Sequence, residues 1–238
     1  MNHNPAPALV VLPTYNERDG LPQVVLGVRS HGHDVLIVDD ASPDGTGVLA
    51  DQLAASDGGV AVIHRPRKLG LGSAYVAGFR QGLEGRYGFL VEMDSDGSHR
   101  LEHLDPIIEA CAGRGGLVIG SRYVKGGTVA GWPRRRRFLS WAANRYCQLL
   151  LGWSVRDATS GYRCYSRSAL ESIGLEDIRS SGYEFQIEMV HRCLRHQLSI
   201  AEVPISFEDR IAGRSKVSRA EVLNGLIGVL RLRFQGRS

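Results

Sequence analysis

Two aspartates one residue apart, Asp94 and Asp96, follow the largely apolar segment 89–93. At the end of a buried strand, such a pair can hold a divalent cation between the protein and a phosphate group. A lone Asp-x-Asp also occurs in ordinary solvated turns, because aspartate favours turns. The pair therefore predicts a metal site only if the rest of the chain supplies partners for a phosphate.

A second acidic pair, Asp39 and Asp40, follows the apolar segment 35–38. Asp44 with Gly45 fits a turn that opens the next helix. Adjacent carboxylates at a strand end are costly unless nearby groups satisfy them, and hydrogen bonds from a ribose hydroxyl or a base edge would do so. A ligand that carries such groups would therefore satisfy Asp39 and Asp40.

Three basic segments are candidate phosphate partners. Segment 68–73 places Lys68 and two glycines before a helix, which lets backbone N–H groups approach an anion, although close helix packing explains the glycines equally well. Segment 134–137 consists of four arginines. Arg136 and Ser140 lie four residues apart and share a face if the helix has begun by Arg136. In segment 210–216, guanidinium, hydroxyl and ammonium groups can converge on phosphate.

The elements that must position these groups alternate along the first half of the chain. Apolar segments 8–12, 35–38, 60–63, 89–93 and 117–120 alternate with amphipathic helical segments. This rhythm predicts an open α/β fold with a mostly parallel sheet, whose ligands bind at the carboxyl ends of the strands. After Arg122 we expect a long helix over 138–151, a short strand near 162–165, and helices over 183–195 and 219–234.

The composition suits one globular domain of 238 residues with 43% hydrophobic residues. The cysteines are scattered without zinc or disulfide spacing, which favours a reducing cytoplasm. No segment fits a signal peptide or a membrane span. The net charge of +4 is modestly basic, but no nucleic-acid docking motif accompanies it, so we expect no nucleic-acid partner.

Taken together and in order, the motifs resemble a family 2 glycosyltransferase of the polyprenyl-phosphate (dolichol-phosphate) mannose synthase type. The resemblance extends over roughly residues 9–230. The matching stretches are 12–17, 37–46, 68–75, 93–96, 120–123, 157–163, 182–188, 203–207 and 210–216. The resemblance implies a glycosyltransferase-A type fold, which is a nucleotide-diphospho-sugar transferase fold with an open, mostly parallel sheet flanked by helices.

The resemblance also implies roles for individual residues. Those that would hold the GDP-mannose donor are Pro13, Tyr15, Glu17, Asp39 and Asp40, with Lys68 in the neighbouring glycine-containing loop. Asp94 and Asp96 would bind Mg²⁺ or Mn²⁺ against the diphosphate, and Asp96 is also a candidate catalytic residue. Ser98 occupies the position where some relatives supply a glutamine to the metal. The residues that would handle the acceptor phosphate and the sugar-phosphate region are Arg122, Arg136, Ser140 and Arg210, while Lys216 belongs to a loop that closes over the site.

The expected reaction is inverting transfer of mannose from GDP-mannose to a polyprenyl monophosphate. The alternatives are a polyprenyl-phosphate glucose synthase and, from another class, a non-catalytic subunit that binds nucleotide-sugar or lipid phosphate. We expect residues 1–215 to form the catalytic domain and 216–238 to form a C-terminal amphipathic helix or tail. That tail, or a separate membrane-protein partner, would hold the enzyme peripherally on the cytoplasmic face of a membrane.

Overall fold

The fold is a twisted sheet with helices on both faces. The computed structural model describes residues 8–178, 180, 182–208 and 219–235. The strands are β1 (Ala8–Thr14), β2 (Asp34–Asp39), β3 (Val60–His64), β4 (Phe89–Glu92), β5 (Leu117–Ser121), β6 (Thr128–Val129), β7 (Arg163–Ser166), β8 (Ile200–Pro204) and β9 (Ser206–Phe207). The helices are α1 (Leu21–Ser30), α2 (Thr46–Ser56), α3 (Leu71–Glu84), α4 (Leu104–Arg114), α5 (Arg134–Leu151), α6 (Arg167–Ile173), α7 (Tyr183–Arg195) and α8 (Arg219–Gln235).

Seven of the strands form the main sheet, in the order β3-β2-β1-β4-β7-β5-β8. Strand β7 is antiparallel to its neighbours β4 and β5, and the other pairings are parallel. Strands β6 and β9 pair separately as a short parallel ribbon. The predicted open, mostly parallel α/β sheet is confirmed. Strands β1, β2 and β4 end side by side, which brings the two acidic segments to one edge.

Two apolar layers cover the sheet. Helices α1, α2 and α4 pack on one face through residues such as Val28, Ala50 and Ile108. Helices α3, α6 and α7 pack on the other face, where Phe79 and Phe185 are buried. Strands buried on both faces are expected to be continuous apolar runs, and β1 and β2 have this composition.

The boundaries of several elements differ from the sequence prediction, and two of these differences affect the site. Helix α5 begins at Arg134 and not at residue 138, because Pro133 precedes it with an extended backbone and the arginines are good helix formers. The arginine run is therefore helical. Strand β4 ends at Glu92, one residue before the end of the predicted segment 89–93, so Asp94 lies in the loop that follows the strand.

Helix α8 lies against α5 and α7. Its Val229 and Leu232 side chains are buried in the core, whereas Ile227 and Phe234 are exposed. The Tyr146 hydroxyl donates to the Leu226 carbonyl at 3.3 Å. One side of the helix is therefore docked and the other is left open. Among the described helices, none combines the length and apolarity needed to cross a membrane.

Candidate active site

The Asp94-Ser95-Asp96 turn is fixed by local hydrogen bonds at the carboxyl end of β4. The Ser95 hydroxyl donates to the Pro13 carbonyl at 2.9 Å, which ties the turn to the end of β1. The Ser98 backbone N–H donates to Asp96 Oδ1 at 2.9 Å, across Gly97 with its φ of 76°. A positive φ at this position suits glycine. The two carboxylates are thus held on a tight, pre-formed turn.

The buried side chain of His99 supports this turn by accepting a hydrogen bond from its backbone. The Asp94 backbone N–H donates to His99 Nδ1 at 3.0 Å. A ring nitrogen that accepts a hydrogen bond carries no proton, so the ring is neutral with its proton on Nε2. The buried ring stacks on Tyr162 at 4.7 Å between centroids. His99 therefore has a polar structural role in this turn.

The residues of the turn fit a magnesium or manganese ion that is shared with a diphosphate. Asp94 and Asp96 supply two half-buried carboxylates, and the Ser98 hydroxyl is buried without a hydrogen-bond partner in the described part of the chain. Magnesium is typically held by one or two carboxylates together with substrate phosphates and water. In the described ranges, no group of three or more His, Cys, Asp or Glu side chains could hold a metal ion. A complete all-protein cage is therefore not what this site offers.

Protein groups already satisfy much of the second acidic pair. The Ser42 hydroxyl donates to Asp39 Oδ1 at 2.5 Å. Asp40 forms an ion pair with Arg65, with 2.7 Å between Oδ1 and Nη1, and accepts the Gly70 backbone N–H at 3.0 Å. The burial of these carboxylates therefore does not require a ligand, contrary to the argument made from the sequence. Nucleoside binding by Asp39 and Asp40 stays a prediction.

The loop after β1 lies beside this second acidic pair. The Glu17 backbone N–H donates to Thr46 Oγ1 at 3.1 Å, which links the loop to the start of α2. Lys68 Nζ lies 3.9 Å from the centre of the Tyr15 ring. Pro13 is half-buried at the end of β1. The predicted donor-binding residues of three separate segments thus gather at one edge of the sheet.

Arg122 lies at the end of β5 in a buried ion pair with Asp157. Its Nε and Nη2 atoms lie 2.8 and 2.7 Å from the two carboxylate oxygens, and Nη2 also donates to Thr159 Oγ1 at 3.0 Å. Although burial favours the protonated acid, the Arg122 guanidinium holds the pKa of Asp157 below its ordinary value. Much of the Arg122 hydrogen-bonding capacity is used within the protein, a constraint that the sequence did not reveal.

Helix α5 brings Arg136 and Ser140 onto the face that contains Asn144. The Asn144 side-chain N–H group donates to the Ser140 carbonyl at 3.0 Å and to Thr159 Oγ1 at 3.2 Å. The Arg136 guanidinium carbon lies 4.0 Å from the centre of the Trp132 ring. Because the helix starts at Arg134, Arg136 and Ser140 do lie one turn apart on a helix, which meets the condition set from the sequence.

Trp132 connects the two arginines predicted at the acceptor site. The Arg122 guanidinium carbon lies 5.3 Å from the centre of its ring, on which Arg136 also packs. Phe207 meets the ring edge-on at 5.4 Å. The predicted catalytic residue Arg210 and the predicted binding residue Lys216 lie outside the described residues.

Three buried polar residues beneath the Asp94 turn escaped the sequence analysis. Glu92 and Arg163 are directly opposite each other on β4 and β7, and both are fully buried. Burial raises the pKa of Glu92 to about 7, against the opposing effect of the Arg163 guanidinium. Gln186, in the first turn of α7, is buried beside them. A charged residue inside an otherwise apolar strand was the signal that could have identified Glu92.

The profile of the family described as Glycosyl transferase family 2 matches residues 9–174 of this chain, which is more than half of it. Polyprenol monophosphomannose synthase from Mycolicibacterium smegmatis is 48% identical over 232 residues, covering 96% of this chain and 88% of the relative. Undecaprenyl-phosphate mannosyltransferase from Micrococcus luteus is 48% identical over 225 residues, covering 94% and 92%. The similarity to these relatives is therefore nearly full-length.

Among solved structures, glucosyl-3-phosphoglycerate synthase from Mycobacterium tuberculosis, in complex with Mn²⁺, UDP-glucose and phosphoglyceric acid, superposes with a TM-score of 0.71. The match covers 96% of this chain and 80% of that chain, at 20% identity. At this identity the likeness concerns the fold alone, and it confirms the expected nucleotide-diphospho-sugar transferase architecture.

Proposed function

The chain belongs to glycosyl transferase family 2, and from this premise we propose that it transfers mannose from GDP-mannose to a polyprenyl monophosphate with inversion at the anomeric carbon. The product is polyprenyl-phosphate-mannose. The observation that carries this proposal is the 48% identity, over nearly the whole chain, to two relatives named as mannose-transferring enzymes with polyprenyl substrates.

The donor site lies along the carboxyl ends of β1, β2 and β4. Pro13, Tyr15 and Glu17 with the Asp39–Asp40 pair hold the nucleoside, and Lys68 lies over Tyr15 at its side. The close linkage of these loops through Ser95 and Thr46 supports this assignment. A binding surface built from three tied loops needs little rearrangement when the donor binds.

Asp94 and Asp96 hold Mg²⁺ or Mn²⁺ against the donor diphosphate, with the unpartnered Ser98 hydroxyl as a further candidate ligand. When bound, such an ion neutralises the charge that grows on the departing GDP. The hydrogen bond from the Ser98 backbone N–H to Asp96 and the tie from Ser95 to β1 keep the carboxylates oriented before substrate arrives. Pre-oriented charges of this kind reduce the reorganisation needed in the transition state.

The acceptor phosphate binds near Trp132, Arg136 and Ser140, next to Arg122. The family resemblance assigns Arg210 to the same phosphate and Lys216 to a loop that closes over the site. A phosphate oxygen forms the new bond to the anomeric carbon, and the bond from that carbon to the diphosphate breaks, leaving its electron pair on GDP. A phosphate monoester has its second pKa near ~6 and is largely ionised at neutral pH, so no strong general base is needed. The arginines position this nucleophile and remove water from it.

The enzyme works peripherally at the cytoplasmic face of a membrane, where a polyprenyl phosphate is available. The support is the exposed apolar side of α8 with Ile227 and Phe234, together with exposed Phe138 and Trp141 on α5 beside the arginine run. Apolar side chains next to basic residues suit an anionic lipid surface. A membrane-protein partner is the other possible means of attachment.

The test is a donor-by-acceptor screen. Labelled GDP-mannose and UDP-glucose are each offered with polyprenyl monophosphates, with and without EDTA. We expect mannose transfer from GDP-mannose that EDTA abolishes. Glucose transfer from UDP-glucose would show that GDP-mannose is the wrong donor. Mannose transfer that persists in EDTA would show that the metal assignment is wrong. The absence of any transfer would favour a non-catalytic binding subunit.

The acceptor assignment has its own matched pair of variants. Arg136→Ala should raise the acceptor KM by about 10- to 100-fold, since a hydrogen bond to a charged group contributes about 1.5–3 kcal/mol. Arg145→Ala, at an exposed position further along the same helix, is the control and should leave the KM unchanged. Equal kinetics for both variants would remove Arg136 from the site.

A further inference from the structure

The site contains an unusual group of polar atoms just beneath Asp94. No hydrogen bond of ordinary geometry from the described part of the chain reaches either carboxylate oxygen of Glu92 or either amide atom of Gln186, although the Gln186 amide and the Tyr165 hydroxyl lie close enough to Glu92 to oppose the rise in its pKa. Both side chains are buried, and Gln186 is only 3% exposed. Leaving a buried polar group unsatisfied costs about 1–3 kcal/mol, so four such atoms at one place call for an explanation.

Gln186 lies near both Glu92 and Asp94. A Cβ atom built on Gly161 would be 3.8 Å from Asp94 Oδ1 and also 3.8 Å from Gln186 Nε2. The amide nitrogen and the carboxylate oxygen, with His99 Cε1 at the same distance, therefore border one small space beside Gly161. The Gln186 amide also lies close to the Glu92 carboxyl group. The absence of a side chain at Gly161 leaves this space open to the amide and to the carboxylate.

The amide group is chemically suited to lie between two carboxylates. Its nitrogen carries two N–H donors that point in different directions. The carboxyl groups of Glu92 and Asp94 both offer oxygen acceptors to these donors. An apolar side chain at this position would supply no donor to either of them.

We propose that Gln186 is a positioning residue for Asp94: one Nε2 N–H donates to the Asp94 carboxylate and the other to Glu92 when the cation and the donor diphosphate bind. Gln186 thereby orients the Asp94 carboxylate from the interior of the protein. Outer partners that orient a metal ligand in this way typically contribute 10- to 100-fold to metal affinity. The inference rests on the proposed function, because it takes Asp94 as a ligand of the cation.

The test measures Mn²⁺ binding directly. Mn²⁺ is titrated into the full chain in the presence of GDP, and free Mn²⁺ is followed by electron paramagnetic resonance. Gln186→Met keeps the length of the side chain and removes both polar groups. We expect the Mn²⁺ Kd to rise about tenfold, while GDP binding in EDTA and the unfolding temperature are not reduced. A structural role alone would lower the unfolding temperature and leave the Mn²⁺ Kd unchanged.

Two further variants complete the design. Gln148→Met, which removes a half-buried glutamine amide on α5, is the control and should leave the Mn²⁺ Kd unchanged. Gln186→Asn keeps an amide but shortens it by one methylene, so it should also weaken Mn²⁺ binding. Equal Mn²⁺ affinity in the wild type and both Gln186 variants overturns this inference alone. A wild-type chain that binds no Mn²⁺ overturns the inference and the metal assignment together.

Discussion

Arg122 and Asp157 form a two-point ion pair that is almost completely buried. The Nε–Oδ2 and Nη2–Oδ1 distances are 2.8 and 2.7 Å, and the Arg122 backbone N–H donates to the same carboxylate at 2.9 Å. Arg122 follows β5 directly, whereas Asp157 belongs to the loop after α5. The pair therefore fixes the acceptor side of the site relative to the sheet.

Asp157→Asn should destabilise the protein by about 3–5 kcal/mol, because removing one partner of a buried pair leaves the other charge uncompensated. Asparagine has nearly the same size as aspartate, so the substitution creates no cavity that would add to the loss of stability. Urea unfolding followed by circular dichroism measures the change in the free energy of unfolding.

The control for this variant is the exposed pair between Arg167 and Glu171 on α6, with a separation of 2.8 Å. Glu171→Gln should cost less than about 0.5 kcal/mol, since solvent screens such pairs. Similar losses in the two variants would contradict the structural importance assigned to the Arg122–Asp157 pair.

Gly78→Ala should destabilise the protein by about 1–2 kcal/mol, although alanine favours helices more than glycine does. The reason is space: a Cβ at Gly78 in α3 would lie 2.4 Å from a methyl carbon of Val11 in β1. Thermal or urea unfolding measures the effect. The helix and the sheet approach closely here, and the alanine methyl group would force them apart.

The matched control is Gly113→Ala in α4, where an added Cβ meets no atom within 4 Å. This variant should be stabilised by about 0.5–1 kcal/mol. If Gly78→Ala were also stabilised, the packing of α3 on β1 would be looser than the structure indicates.

The sequence predicts the alternating core and the sheet because each buried strand is a local apolar run. It predicts the position of Asp94 and Asp96 at the carboxyl edge for the same reason, since parallel strands end together. It does not predict the insertion of β7 between β4 and β5 with reversed direction. That pairing joins segments far apart in the chain, and their local composition does not determine it.

Partners of buried charges are also beyond the sequence. Arg122 belongs to a predicted phosphate motif, yet only the fold brings Asp157 to it. Asp40 likewise meets Arg65 through the loop after β3. Gln186 is separated by more than ninety residues from Asp94, and only the fold brings both side chains near Gly161. Roles that depend on long-range neighbours therefore emerge from the structure.

His103 should make the protein less stable as the pH falls below about 6.5, the ordinary histidine pKa. Burial lowers the pKa of His103, and its Nε2 accepts the Ser206 backbone N–H at 2.9 Å. A group whose pKa is lowered by folding contributes its stability above the unfolded pKa and loses it as the pH falls through the folded value.

The measurement is the urea midpoint between pH 8 and pH 5 for the wild type and for His103→Gln. Glutamine keeps an acceptor for Ser206 but does not titrate, so the variant should lose less stability over this interval. Burial also lowers the pKa of His191, so His191 makes the protein less stable at low pH in the same way. Part of the pH dependence of the urea midpoint should therefore remain in the His103→Gln variant. Parallel pH profiles for the two proteins would exclude His103 as a contributor.

Trp132→Leu should raise the KM for the polyprenyl phosphate by about 3- to 10-fold, because a partly desolvated cation–π contact contributes about 0.5–2 kcal/mol. Arg136 packs on this ring at 4.0 Å and would lose its orientation. Steady-state kinetics with each substrate varied in turn measure the effect. The KM for GDP-mannose is the internal control, and an equal rise in both KM values would show that Trp132 does not act at the acceptor alone.

The exposed side of α8 should bind anionic vesicles. Phe234 is 66% exposed, whereas Val229 and Leu232 on the same helix are in the core, so truncation before the helix would uncover the core as well as remove the contact. The double variant Ile227→Ser/Phe234→Ser leaves the docked side intact. It should reduce vesicle flotation about tenfold or more, since burying one such side chain contributes about 1.5–3 kcal/mol.

Leu26→Ser on α1, at a position 72% exposed, is the control and should float like the wild type. Equal flotation of the double variant and the control would show that α8 is not the membrane-binding surface.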